Sequence, residues 1–286
     1  MKPTSSRLRR STARSASHVV RLILLTCLAA LCAFPVYWMI VTALLPLEHV
    51  FDNPPVMVPD VGHLATFPRT LTDIPLLRWF GNSAFVAAGV SIFSVVLGVL
   101  SGYALSRFRF RGKNLFAFLL FATQMLPEAL ALVPIYVLFV TLGLLNALYG
   151  LVIIDTVFIM PVVAWIVKAA IDGVPYELEE AAKVDGCTQL GILEMVVLPL
   201  VLPSVAAGAV IAFFYGWNEY LFAVTFIGQP DGWTASVGMS SLIGQYVTPL
   251  DTVFAGAVLY TIIPVIFYLF AERKLVAGLT RGALKG

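Results

Sequence analysis

Six stretches of this chain are apolar for about the 20 residues that one α-helix needs to cross a hydrocarbon layer. Leu22–Leu45 runs without a single charge, and Asn82–Leu105 follows. Leu115–Val137 is interrupted by Pro127 and Pro134. Then come Leu148–Val167, Val197–Phe222 (with Pro199 and Pro203 in its first turns) and Thr252–Phe270. In a bilayer no water bonds to exposed amides, so each stretch must satisfy its own backbone, as a helix does. Of the 286 residues 60% are hydrophobic and 12% charged, against about 25% charged in soluble domains. The mean hydropathy is +0.93. This balance excludes an ordinary soluble enzyme and a disordered chain. A net charge of +2 argues against a nucleic-acid binder. The fold class is an all-α polytopic membrane protein with six transmembrane helices.

Charge assigns the sides. Lys2, Arg7, Arg9, Arg10, Arg14 and Arg21 precede the first span. Arg107, Arg109, Arg111 and Lys113 lie between the second and third. Lys168 and Lys183 lie between the fourth and fifth, and Arg273, Lys274, Arg281 and Lys285 follow the sixth. Only Arg69 and Arg78 fall on the opposite side. The positive-inside rule then places both termini in the cytoplasm. The first apolar run is too long for the core of a cleaved signal peptide, so it is expected to stay as a membrane helix. The expected organisation is a basic cytoplasmic tail over 1–18, a first membrane helix over 19–45 and an extracytoplasmic loop over 46–78. A core membrane domain over 79–272 and a cytoplasmic C-terminal tail over 273–286 follow. Pro46, Pro54, Pro55, Pro59, Pro68 and Pro75 make the 46–78 loop irregular. No strong internal repeat marks an inverted-repeat transporter.

Chemical motifs are scarce. Cys27, Cys32 and Cys187 form no paired or zinc-type spacing, and His18, His49 and His63 are scattered. No GxxxxGK[ST] phosphate loop, HExxH or GxSxG sequence occurs. A membrane-embedded enzyme would need a convergent set of such groups, so no catalytic residues and no metal ligands are expected.

The most informative segment is cytoplasmic and spans 172–198. Pro175 suits a helix start, and Glu177, Glu179 and Glu180 suit the positive end of a helix dipole. Glu179 and Lys183 have the spacing of a helical ion pair. Asp185-Gly186 stops the helix, and Thr188 can cap a second one. Two short helices joined by a sharp glycine turn are expected, the first presenting a small apolar face of Leu178, Ala181 and Ala182.

Glu180-Ala181-Ala182, then Asp185-Gly186, then Leu198-Pro199 resemble the EAA motif of binding-protein-dependent ABC importer permeases. Asn82-Ser83, SGYALSRFRFRGK (101–113), Gln124-Met125-Leu126-Pro127, Trp217-Asn218-Glu219-Tyr220 and the end LVAGLTRGALKG (275–286) resemble the maltose-type carbohydrate subgroup. The resemblance spans about residues 20–286. The basic start is outside it and reads as an unstructured, lipid-facing tail. The resemblance implies a type I ABC importer transmembrane domain. It also implies that Glu179, Glu180, Ala181, Ala182, Asp185, Gly186, Leu198 and Pro199 couple to an ATPase. In some members the tail, here Gly278, Leu279, Thr280, Gly282 and Gly286, inserts between two ATPase subunits; Arg281 departs from the usual small residue there. Implied partners are a second homologous permease, two ATP-binding subunits, an extracytoplasmic solute-binding protein and the bilayer, with no nucleic acid. ATP and Mg²⁺ would sit on the partner subunits, leaving no cofactor on this chain.

Ionisable groups in a bilayer are costly, and so point to function. Gln124, Glu128, Asp155, Asn218 and Glu219 are therefore the candidates for a translocation path. Asp155 reads equally well as a pore-lining group, an interhelical hub or a carboxyl near the outer interface. Ser94, Gly98 and Gly102, and Ser204, Gly208, Ala212 and Gly216, form small-residue stripes for packing within the subunit or on a partner. The expected function is the permease subunit of an ATP-driven importer for a sugar or oligosaccharide in the cell inner membrane. The alternatives are a glycerol-3-phosphate-type or other polyol ABC permease, or a secondary transporter working alone.

Overall fold

The computed structural model describes the backbone of residues 5–244 and 248–283 and the side chains of residues 18–244 and 248–272. Every regular element among them is helical. Their order is α1 (Ser5–Ala43), α2 (Thr66–Asp73), α3 (Leu76–Arg107), α4 (Lys113–Thr123), α5 (Glu128–Leu142) and α6 (Leu148–Asp172). Then follow α7 (Tyr176–Val184), α8 (Gln189–Ile192), α9 (Leu198–Trp217), α10 (Leu221–Phe226), α11 (Ala235–Ser241) and α12 (Leu250–Ala283). The backbone of α1 thus begins inside the basic stretch expected to be unstructured.

Five stretches are long and apolar enough to cross a membrane: His18–Ala43, Leu76–Arg107, Leu148–Asp172, Gln189–Phe226 and Leu250–Glu272. The third expected span, Leu115–Val137, is broken. α4 and α5 meet at 103°, so the two count as one span only across a sharp bend. Pro127 is the cause: its ring disfavours a helical conformation at Leu126, and it stands as the extended N-cap of α5. The fifth expected span lies within the single stretch Gln189–Phe226, although its helix is interrupted near the end. α9 ends at Trp217, and Phe222 lies in the separate helix α10.

The chain divides into two compact units. One comprises Met1–Thr70 and Val247–Val258. In it α1 is exposed from Leu22 to Phe34, where every side chain but that of Thr26 is apolar, as a helix solvated by lipid tails can be. Its Tyr37 hydroxyl donates to the Met57 carbonyl in the proline-rich loop. That loop is less irregular than its prolines suggest, because α2 starts just ahead of Pro68, where a first-turn proline lacks only an N–H the helix does not use.

The other unit comprises Leu71–Tyr246 and Leu259–Gly286. α3, α6 and α9 pack together at its centre, around Val86, Val90, Val99, Leu151, Val163, Val167 and Val205. Glycines set the spacing of α3 and α6. A Cβ on Gly102 would lie 2.9 Å from the Ala164 carbonyl oxygen, and one on Gly98 would lie 2.7 Å from Val163 Cγ1. Close approach of this kind is how helices gain packing energy in lipid. Both stripes therefore pack inside this chain: Gly208 rests on Val163, and Gly216 on Ala87 and Val90.

Candidate functional site: the coupling segment and the buried acids

α6 ends at Asp172, and the chain turns at once into α7. Pro175 is the N-cap of α7 and Tyr176 its first residue, one position later than expected. Gly186 closes the helix with φ +86°, the left-handed conformation that only a residue without Cβ adopts at no cost. Cys187 N–H then donates to the Ala182 carbonyl at 2.9 Å. Thr188 accepts from Gly191 N–H at 3.2 Å and so caps α8, as its sequence position suggests. A π-helical turn, Leu193–Val197, leads into α9, where Pro199 occupies the first turn.

The helix presents two faces. Glu180, Ala181, Asp185 and Gly186 are exposed, as is Leu178; Ala182 is buried. Leu198 is half-buried against the core and Pro199 is exposed. Glu179 points inward and is only 1% exposed. The expected Glu179–Lys183 pair is not what forms. Arg107 Nε donates to Glu179 Oε1 at 2.5 Å, and the Tyr103 hydroxyl donates to Glu179 Oε2 at 3.1 Å. The fork of a guanidinium suits a buried carboxylate better than an ammonium does, since an ammonium is strongly hydrated. Lys183 Nζ keeps its exposure and donates to the Tyr176 hydroxyl at 3.1 Å, over the same ring. Arg107, Tyr103 and Gln189 are functional-site residues that sequence reasoning missed. Arg107 is 72 residues from Glu179, and the sole hint was its place in the basic run at the end of the second span.

The path candidates split. Glu128, Asp155 and Glu219 lie within electrostatic reach of one another. Glu128 Oε1 accepts the Tyr215 hydroxyl at 2.5 Å. Glu219 Oε1 accepts from Phe222 N–H at 2.5 Å and Ala223 N–H at 3.2 Å, so it caps α10. Asp155 is fully buried, and neither carboxylate oxygen has a hydrogen-bond partner. Gln124 is exposed; its Nε2 donates to the Phe158 carbonyl at 2.7 Å, beside the gap that Pro161 leaves in the ladder of α6. Asn218 is also exposed: Nδ2 donates to the Phe214 carbonyl and Oδ1 accepts the Tyr260 hydroxyl at 3.1 Å. Among the described residues no group of three or more His, Cys, Asp or Glu has the arrangement of a metal site. The side chains of the tail residues Gly278, Leu279, Thr280 and Gly282 lie outside the described residues, and Gly286 lies outside them altogether.

Comparison with known proteins agrees with this geometry. The family described as "Binding-protein-dependent transport system inner membrane component" matches residues 94–279. The arabinooligosaccharides transport system permease protein AraQ of Halalkalibacterium halodurans is 32% identical over 263 residues, covering 91% of this chain and 93% of that protein. The maltodextrin transport system permease protein MdxG of Bacillus subtilis is 32% identical, covering 77% and 80%. A chain of a bacterial ABC transporter involved in the import of the acidic polysaccharide alginate superposes with a TM-score of 0.73 at 23% identity, over 96% of this chain and 99% of that one. The fold is thus that of a type I ABC importer transmembrane domain. The chain belongs to the binding-protein-dependent transport system inner membrane component family: it is a multi-pass inner-membrane permease subunit that works with other ABC subunits, not an enzyme.

Proposed function

We propose that this permease imports an uncharged sugar or oligosaccharide and takes its driving force from ATP hydrolysed on partner subunits. The carrying observation is the coupling segment: an exposed Glu180-Ala181 face, a left-handed Gly186 and an inward Glu179 that fastens the helix to the membrane span. Of two ATP-binding subunits, holding ATP and Mg²⁺, one would dock on Glu180, Ala181, Asp185 and Gly186. A second homologous permease would complete the pathway, and a solute-binding protein would deliver cargo from outside. The tail residues 278–286 would add a second ATPase contact.

The cargo reading has two supports. Relatives are named for arabinooligosaccharides and maltodextrin. Glu128, Asp155 and Glu219 share one region of the transmembrane unit, a set of carboxyl groups that can hydrogen-bond hydroxyls and includes no cation to pair with a phosphate. This favours a sugar over glycerol-3-phosphate.

The test is ATP-dependent uptake of labelled arabinotriose and maltotriose into proteoliposomes holding the full complex. Whatever fraction of a Gly186→Asp complex assembles should hydrolyse ATP while uptake is lost. Uptake by this chain without any ATPase subunit, or normal uptake by Gly186→Asp, would overturn the reading.

A further inference from the structure

We propose that Arg107 and Glu179 act as a buried strut that makes the coupling helix α7 move as one body with membrane helix α3. The inference deepens the coupling reading above and rests on it.

Both charges are withdrawn from water, Arg107 to 11% and Glu179 to 1% side-chain exposure. Arg107 makes two bonds to the segment that follows α6: Nε to Glu179 Oε1 at 2.5 Å and Nη2 to the Val174 carbonyl at 2.7 Å. Its guanidinium also lies 5.8 Å from the Tyr176 ring centre. One turn earlier on α3, the Tyr103 hydroxyl reaches both Glu179 Oε2 (3.1 Å) and Gln189 Oε1 (3.3 Å). One helix end therefore grips the start of α7, its middle and the start of α8.

A buried ion pair contributes little net stability, but opening it strands a charge in a medium that cannot solvate it. The joint is therefore hard to open, and tilting α7 must tilt the end of α3. The adjoining joint is closed in the same way. Ser106 donates to Asp172 Oδ1 at 2.5 Å, and Lys168 pairs with Asp172 Oδ2 at 2.6 Å. Above it the Gly98 and Gly102 seam leaves no slack between α3 and α6. Within 172–198, Gly186 is the one residue with a left-handed φ, and it lies beyond the strut. The left-handed turn of the segment thus lies between two points that α3 holds, Glu179 before it and Gln189 after it. A push on the exposed face is passed to α3, not absorbed in a loop.

The test uses the assembled complex with its ATPase subunits. In a background with Cys27, Cys32 and Cys187 replaced by serine, spin labels are placed at Val184→Cys on α7 and Leu100→Cys on α3. Both positions are exposed. The label distance is measured without nucleotide and with MgATP plus vanadate. The expected result is one distance in both states for the parent, and a nucleotide-dependent shift with a broadened distribution for Arg107→Gln. A shift in the parent, or an Arg107→Gln distribution identical to the parent's in both states, overturns the strut. A purely stabilising pair would lower the melting temperature without making the distance depend on nucleotide. If Arg107→Gln does not assemble, Tyr103→Phe tests the same joint with both charges kept: broadening supports the strut, an unchanged distribution overturns it. Failure of the ATPase subunits to co-purify with the parent would overturn the coupling reading and the strut together. A shift in an assembled, ATP-hydrolysing parent overturns the strut alone.

Discussion

Gly186 sits at φ +86° with no atom near the place a Cβ would occupy. Substitution there is therefore opposed by backbone strain alone, roughly 1–2 kcal/mol for an ordinary L-residue. Asn tolerates this region better than Ala, and a β-branched residue worst. ATPase subunit recovered with the permease should fall in the order Gly, Asn, Ala, Val; a Val variant recovering as much as the parent would refute the strain argument. Asp60 gives a second test at this scale. It accepts Gly62 N–H at 2.8 Å and pairs with His63 Nδ1 at 2.9 Å. The Gly62 amide above all, then His63, holds its carboxyl below the ordinary range. A lowered value means the charged form is favoured when folded, so this turn is firm above the usual Asp value of about 3.9 and loosens as pH falls through the folded value. Hydrogen exchange at Gly62, corrected for intrinsic rate, should speed up on acidification, and Asp60→Asn should remove that dependence.

At the scale of elements, the helices with uninterrupted apolar runs were legible because burial in lipid needs nothing but length and hydropathy. α6 starts at Leu148 as expected and α3 ends two residues beyond its expected span, while α3 starts six residues early and α6 ends five late, where polar partners such as Lys168 hold it. What a hydropathy run does not encode is direction. The 103° break between α4 and α5 has a side-chain partner remote in sequence, whereas the restart after Asn218 has a local one. Gln124 reaches Phe158 and Glu219 caps α10. The glycine seam separates two effects of one substitution. Gly102→Ala puts a methyl against the backbone of α6, which cannot step aside. Overpacking of this kind costs about 1–3 kcal/mol. Gly81, on the same helix, has open space around it, and alanine there should stabilise by roughly 0.5–1 kcal/mol. Thermal unfolding in detergent should thus move down for Gly102→Ala and up for Gly81→Ala. Equal shifts of the same sign would contradict the packing described for α3 and α6.

For the whole molecule, fold class and family were readable because apolar length and one motif are local features of sequence. The site was readable only on its outward side. Glu180, Ala181, Asp185 and Gly186 face out as the motif implies, whereas the inward grip of Arg107 and Tyr103 on Glu179 joins residues that no spacing rule connects. The same limit applies to Asp155, whose place in the fourth span was plain but whose surroundings were not. It is fully buried with both oxygens unpartnered, and Glu128 and Glu219 are near enough to oppose its charge. A polar group left so costs roughly 1–3 kcal/mol of stability. A chain that keeps such a group forgoes stability that leucine would restore, and strained groups of this sort concentrate where function needs them. Asp155→Leu should therefore raise the melting temperature of the purified complex, and Asp155→Asn should do so less, since its amide still lacks partners. ATP-driven uptake should fall in both variants although each is better folded. A lowered melting temperature would show that Asp155 holds the bundle together, and raised stability with unchanged uptake would remove it from the translocation path.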